Sequence, residues 1–382
     1  MKRWIAVVIV LVLLAVLATG CPKKAAAPSG EPVKVGLLVC ETGAFSSYGL
    51  DNLNGALMFA EDCNAAGGVG GRPLELVVYN TESTPARAVA GARKLIADDK
   101  VVALVGLGMV SEASAAAPLV AGGPVTFVTC AAYQPENSMM FGAGVFVPLH
   151  HACICRWLAA RGVTQFALLT TNDATGEVAE AGLRRNAGQS GLELSIVERM
   201  NPADVDASAQ VARIAAAKPG ALVVWVVGKP LGVALRAIKT AGLDVPVFTS
   251  HGNRSLEFLR SLAAIEPAEF YMPCPVDAVW ESLPTAHPAR AMNAGFSARY
   301  VKKFSKIPGA GSTDAYDALA LLCQAFAAVG TDSAKVVAYL EAVKGYQGLA
   351  GTYDFSAENH RGLGPDDIMI ARVRAGVLTP AD

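Results

Sequence analysis

A chain of 382 residues with 32 Lys and Arg against 33 Asp and Glu carries a formal net charge of −1. No Lys/Arg-rich face and no interleaving of basic with aromatic residues appears, which excludes nucleic acid as a partner. The abundance of Ala, Val, Leu and Gly suits close-packed helix-on-sheet layers, and the length allows two lobes with separate cores.

The chain opens with Lys2 and Arg3, an apolar run from Trp4 to Ala18, then Thr19-Gly20-Cys21. This pattern reads as an export signal, because an apolar run of ~15 residues is short for a bilayer. The small residues before Cys21 resemble the lipobox of bacterial lipoproteins, which implies a signal over residues 1–20, lipidation of Cys21 and anchoring to a membrane. Residues 21–32, rich in Pro, Ala and Lys, read as a flexible tether.

Short β-branched runs then alternate with Ala-rich amphipathic stretches, the signature of a parallel sheet covered on both faces. Strands are expected at Val33 to Val39, Leu74 to Tyr79, Val101 to Val105 and Val125 to Thr129, with helices at Leu50 to Ala65, Pro85 to Asp98 and Glu112 to Ala121. The rhythm restarts after Phe146 with helices at His151 to Arg161, Glu177 to Ser190, Ala207 to Ala217 and Leu231 to Ala241. The strands among them are Phe166 to Thr170, Leu194 to Val197, Ala221 to Val227 and Val247 to Thr249. The fold class is therefore α/β, two doubly wound parallel-sheet lobes. Residues 284–344 read as mainly helical, and the tail as short antiparallel strands.

Motifs for phosphate or catalysis are missing. Val105 to Ser114 begins a GxG after a strand, but Ser111 stands where a dinucleotide fingerprint needs its third glycine. Gly67 to Pro73 follows a helix and precedes a strand, the opposite polarity, and reads as a turn. No GxSxG, HExxH or paired CxxC occurs, so an enzyme is not expected, nor a cofactor.

The stretch VPLHHACICRW places His150 and His151 beside Cys153 and Cys155. At helical spacing these four would begin a zinc shell, or would be buried thiols with His150 bordering a cleft. Seven cysteines besides Cys21 are expected mostly as buried thiols with no disulfide framework.

The block CETGAFSSYGLDNLNGALMFAEDCNAAGGVGGRPLELVVYNTESTP, from Cys40 to Pro85, resembles the leucine/isoleucine/valine-binding family of solute receptors for ABC importers, the type I periplasmic binding proteins. DKVVALVG, KTAGLDVPVF and AYDALALL continue the resemblance in order. It implies two lobes joined by three crossovers, residues 33–147 with 277–341 and residues 148–276 with 342–382. It also implies an exported receptor, a permease and ATPase complex as partners, and a monomer that closes on an amino acid, amide or carboxylate. A ligand-sensing domain of a signalling system is the competing reading. The two cysteines that bridge loops in relatives are matched by Ser83 and Met109, so that bridge is not expected.

Ligands of open parallel sheets sit beyond the carboxyl ends of the strands. On that ground and by the resemblance, the candidate ligand-binding residues are Ser47, Tyr48, Ser111, Ala131, Ala132, Tyr133, Thr175, Gly228 and His251. His251 matters most, because the resemblance implies an acid there to pair with an amino acid's ammonium. A histidine supplies no negative charge. The expectation is a carboxylate or amide lacking an obligatory ammonium, unless Asp173 or Asp314 replaces the missing acid.

Overall fold

The computed structural model describes residues 27–381, so the expected signal and Cys21 lie outside the described residues. The first sheet is built from β1 (Val33–Val39), β2 (Leu74–Asn80), β3 (Ala103–Gly106), β4 (Val125–Val128) and β5 (Met140–Gly142), all parallel, in the order β2, β1, β3, β4, β5. β1, β3 and β4 are buried almost throughout, as strands with helices on both faces must be. The covering helices are α1 (Ser46–Ala65), α2 (Pro85–Ala97) and α3 (Val110–Val120). Local chemistry sets their ends: Thr84 accepts a hydrogen bond from the Arg87 N–H, and Pro85 occupies the first turn of α2.

α4 (Val147–Ala160) carries the chain into the second lobe. There β6 (Gln165–Thr171), α5 (Ala174–Gln189), β7 (Glu193–Met200), α6 (Ser208–Ala216), β8 (Leu222–Trp225), α7 (Lys229–Ala241), β9 (Val247–Thr249), α8 (Leu256–Ser261) and β10 (Phe270–Pro275) follow. β10 was not expected, since its sequence FYMPCP holds two prolines and lacks an alternating pattern. Its antiparallel partner β13 (Ile368–Arg374) and then β14 (Val377–Pro380) complete a seven-stranded sheet in the order β14, β13, β10, β9, β8, β6, β7.

Between β10 and β13 the chain returns to the first lobe with α9 (Pro288–Phe304), α10 (Ala310–Val329) and α11 (Ser333–Glu341). α10 lies along α1 so closely that a Cβ on Gly55 would fall 2.0 Å from the Ser312 carbonyl oxygen, and Phe59 meets Tyr316 edge-on at 5.1 Å. No single described helix is long and apolar enough to cross a membrane. α10 is apolar because it is packed on nearly every side.

The expected return to the second lobe at residue 342 needs correction. Residues 342–363, with the small hairpin β11 (Tyr346–Gln347) and β12 (Thr352–Tyr353), stay on the first lobe. Phe355 sets its edge against Phe127 and Phe141 at 6.2 and 5.4 Å, and His360 stacks on Phe141 at 4.0 Å. These rings have their apolar partners on β4 and β5, so burial holds the segment there. Arg361 fastens the end of it: its guanidinium donates to the carbonyls of Cys130, Tyr133, Gly144 and Val145 at 2.8–3.4 Å. The third crossing therefore falls at residues 364–367.

Candidate ligand cleft

The carboxyl ends of the parallel strands of both sheets open towards the junction of the lobes. From the first lobe comes Tyr48, near the start of α1. Its ring lies against Gly108, where an added Cβ would sit 3.1 Å from it, and its hydroxyl oxygen is 2.6 Å from the Thr129 carbonyl and 2.9 Å from Asp314 Oδ2. Burial, and then the charge of Asp277, hold the Asp314 carboxyl well above the usual carboxylate range. The Tyr48 hydroxyl proton is shared between the Thr129 carbonyl and Asp314 Oδ2, both of which accept from it. Tyr48 is thus held in place by partners on its own lobe.

Ser47 and Ser111 are exposed in the first turns of α1 and α3, free to meet a solute. Ala132 is exposed, whereas the Ala131 carbonyl accepts from the Val147 N–H at 2.9 Å, which ties the first crossing to β4. Tyr133 departs from expectation. Only 2% of it is exposed, its hydroxyl faces Met140 Sδ at 3.6 Å, and so the side chain belongs to the first lobe's core. The backbone there curls inward because the Tyr133 carbonyl is held by Arg361.

On the second lobe, Thr175 is exposed at the start of α5, and its N–H donates to Asp173 Oδ1. Asp173 Oδ1 also accepts from Thr171 and from the Gly176 N–H, so one oxygen of this exposed acid caps α5. Gly228 adopts φ +73° before α7 and donates its N–H to Asn253 Oδ1, a turn that disfavours other residues. His251 begins a single 3-10 turn after β9, and its ring lies 4.2 Å from that of His150 and 6.0 Å from that of Trp225.

The four side chains of the HHACIC cluster go to different places. His150 meets His251, His151 meets Trp225 at 4.5 Å, Cys153 donates to the Ile368 carbonyl, and Cys155 is buried in the core. Among the described residues no group of three or more His, Cys, Asp or Glu is arranged to hold a metal ion. All seven described cysteines are free thiols, six of them buried. Ser83, at φ +57°, does its tying with a hydroxyl, donating to the Thr42 carbonyl and accepting from the Phe45 N–H.

A pair that the sequence did not signal closes the site. Arg254 donates to both oxygens of Asp277 at 3.1 and 3.4 Å, and Thr313 Oγ1 lies 2.9 Å from Asp277 Oδ2. Asp277 stands on the second crossing, Arg254 on the second lobe and Thr313 on the first, so one carboxylate links both lobes at the hinge. No spacing rule finds such a triad, because its members are brought together only by the crossing.

Two doubly wound sheets with facing strand ends and polar groups converging between them define a two-lobed solute-binding protein. A family model described as periplasmic binding protein matches residues 32–377, and the chain belongs to that family. It is 28% identical over 224 residues to the leucine-, isoleucine-, valine-, threonine- and alanine-binding protein of Pseudomonas aeruginosa, a match covering 56% of this chain and 59% of that relative. An ABC transporter substrate-binding protein from Sphaerobacter thermophilus superposes with a TM-score of 0.79 at 21% identity, over 92% of this chain and 97% of that one. The branched-chain amino acid transporter substrate-binding protein from Streptococcus pneumoniae, solved with isoleucine, gives 0.73 at 21%, over 91% and 98%. At those identities the likeness to solved structures is one of fold. The relatives are solute-binding proteins, not enzymes.

Proposed function

We propose that this chain is the exported, lipid-anchored receptor of an ABC importer of the branched-chain amino acid type. It captures a small polar organic solute between its lobes and presents it to a permease and ATPase complex. One observation carries this reading: Asp277 on the second crossing is joined to Arg254 of the second lobe and to Thr313 of the first, beside the Tyr48–Asp314 pair of the first lobe. A solute touching both walls stabilises the closed form by the surplus of contacts it makes there, and closure is what a permease can sense. Lipidation at Cys21 and the monomeric state belong to the same proposal. The test is a thermal-shift screen of amino acids, amides and carboxylates, followed by calorimetry and small-angle scattering of the hits. A solute that raises the melting temperature, binds one to one and compacts the protein supports the proposal. Failure of every solute to do so refutes it.

A further inference from the structure

Ring nitrogens without a partner gather at the second lobe's edge of the cleft: both of His150, both of His151 and Nδ1 of His251. His150 and His151 are fully buried, and the half-buried His251 lies against His150. Burial keeps all three neutral at pH 7, helped at His150 and His251 by neighbouring His and Arg side chains: His150 is held well below the usual range, His251 is pulled down to about 3, and His151, by burial alone, to about 4. A neutral imidazole still carries one N–H, so the cluster holds donors that lack acceptors. His151 is turned away, its ring under Gly182 and against Trp225, and belongs to the packing of α4 on α5. His150 and His251 remain.

The acids around them are all engaged. Asp277 is paired with Arg254 and Thr313, Asp314 accepts from Tyr48, one oxygen of Asp173 caps α5, and Asp317 is held by the Leu349 and Ala350 N–H groups and the Tyr353 hydroxyl. Each of these carboxylates already holds a partner, so an ammonium entering here would have to compete with it. A carboxylate here has as neighbours the His251 ring of the turn after β9, the His150 ring in the first turn of α4, the positive end of that helix, and the nearby Arg254 guanidinium. We infer that His251, backed by His150, receives the solute's carboxylate, and that the natural solute is a small organic acid bearing no ammonium at that end. This inference rests on the solute-receptor reading above and narrows it.

The test is calorimetric titration of the folded protein with matched pairs, isocaproate against leucine and hydrocinnamate against phenylalanine, which differ only in the α-amino group. The acids should bind and the amino acids should not. His251→Ala should weaken acid binding about tenfold or more, the loss of a hydrogen bond to a charged group, whereas His251→Asn, which keeps a donor, should lose less. His251→Asp should reverse the preference. Tighter binding of leucine or phenylalanine by the unaltered protein overturns the inference, as does unchanged acid affinity in a folded His251→Ala variant. If neither pair binds, the solute found by the thermal-shift screen decides: one with a carboxylate and no ammonium upholds the inference, and one with an ammonium overturns it. A screen with no hit instead defeats the receptor reading itself.

Discussion

Arg361 offers the sharpest test of how the fold is fastened. Its side chain is fully buried, has no carboxylate partner, and lies 5.0 Å over the Phe146 ring while four carbonyls accept from it. Those carbonyls sit on two separate segments, the turn after β4 and the first crossing. Room for the guanidinium exists only because residue 142 is glycine, where a Cβ would fall 2.3 Å from Nη1. Arg361→Met keeps the aliphatic stem and removes every donor. One contact, to Val145 at 2.8 Å, is firm, and three at 3.3–3.4 Å are looser. Leaving a buried acceptor unpaired costs about 1–3 kcal/mol, and release of the desolvated cation offsets part of the sum. The expected net loss is about 2–4 kcal/mol, read by urea denaturation followed by tryptophan fluorescence. Arg361→Lys should recover only part of it, since an ammonium cannot span two segments. Hydrogen exchange should quicken at Gly142, whose N–H donates to the His360 carbonyl. A Met variant within about 0.5 kcal/mol of the parent, the range of an ordinary surface change, would show that the carbonyls do not depend on Arg361.

Three further outcomes follow from other parts of the molecule. Gly55→Ala drives a methyl into the Ser312 carbonyl and should cost about 1–3 kcal/mol, while the same change at Gly188, with open space around it, should cost no more than a few tenths; equal losses would discredit the close approach of α1 and α10. Burial pushes the Asp317 carboxyl up to about 7 against the pull of its three hydrogen bonds, so its stabilising contribution is complete below about pH 4 and is lost as pH rises towards 7. Asp317→Asn should flatten that part of the stability curve by on the order of 1 kcal/mol per pH unit, and an unaltered slope would refute the assignment. Among the seven described cysteines a thiol reagent applied to the folded protein should modify Cys63 first, because it alone of them is half-exposed and its hydrogen bond with Cys323 lowers its pKa; mass spectrometry showing uniform labelling of all seven would contradict this.

The sheets and their covering helices were legible because burial on both faces leaves continuous apolar runs, and β1 and β9 fall where those runs predict. Short elements were not: β5 is three residues long, and the prolines of β10 face an environment that only the finished sheet provides. Tyr48 and His251 were singled out as candidates from their places after strands. The His150–His251 pairing, the Arg254–Asp277–Thr313 link and the inward turn of Tyr133 were hidden, because each depends on where separate crossings bring the chain. The helix start at Val147 also escaped notice. It puts His150 in the first turn of the helix, where its ring meets that of His251.

The residence of residues 342–363 on the first lobe has a consequence for how this protein is made. Phe355 and His360 complete the aromatic packing over β4 and β5, and Arg361 satisfies the turns beside them, so the lobe that begins at Val33 is unfinished until nearly the whole chain has been synthesised. The second lobe likewise waits for β13 and β14 to cover β10. Neither half can close early from its own contiguous sequence, and native pairing demands contacts across more than two hundred residues. A chain so arranged stays loose while it is still emerging, which is the state in which a secretion channel can thread it, and it gains its final order only after the last strand has arrived.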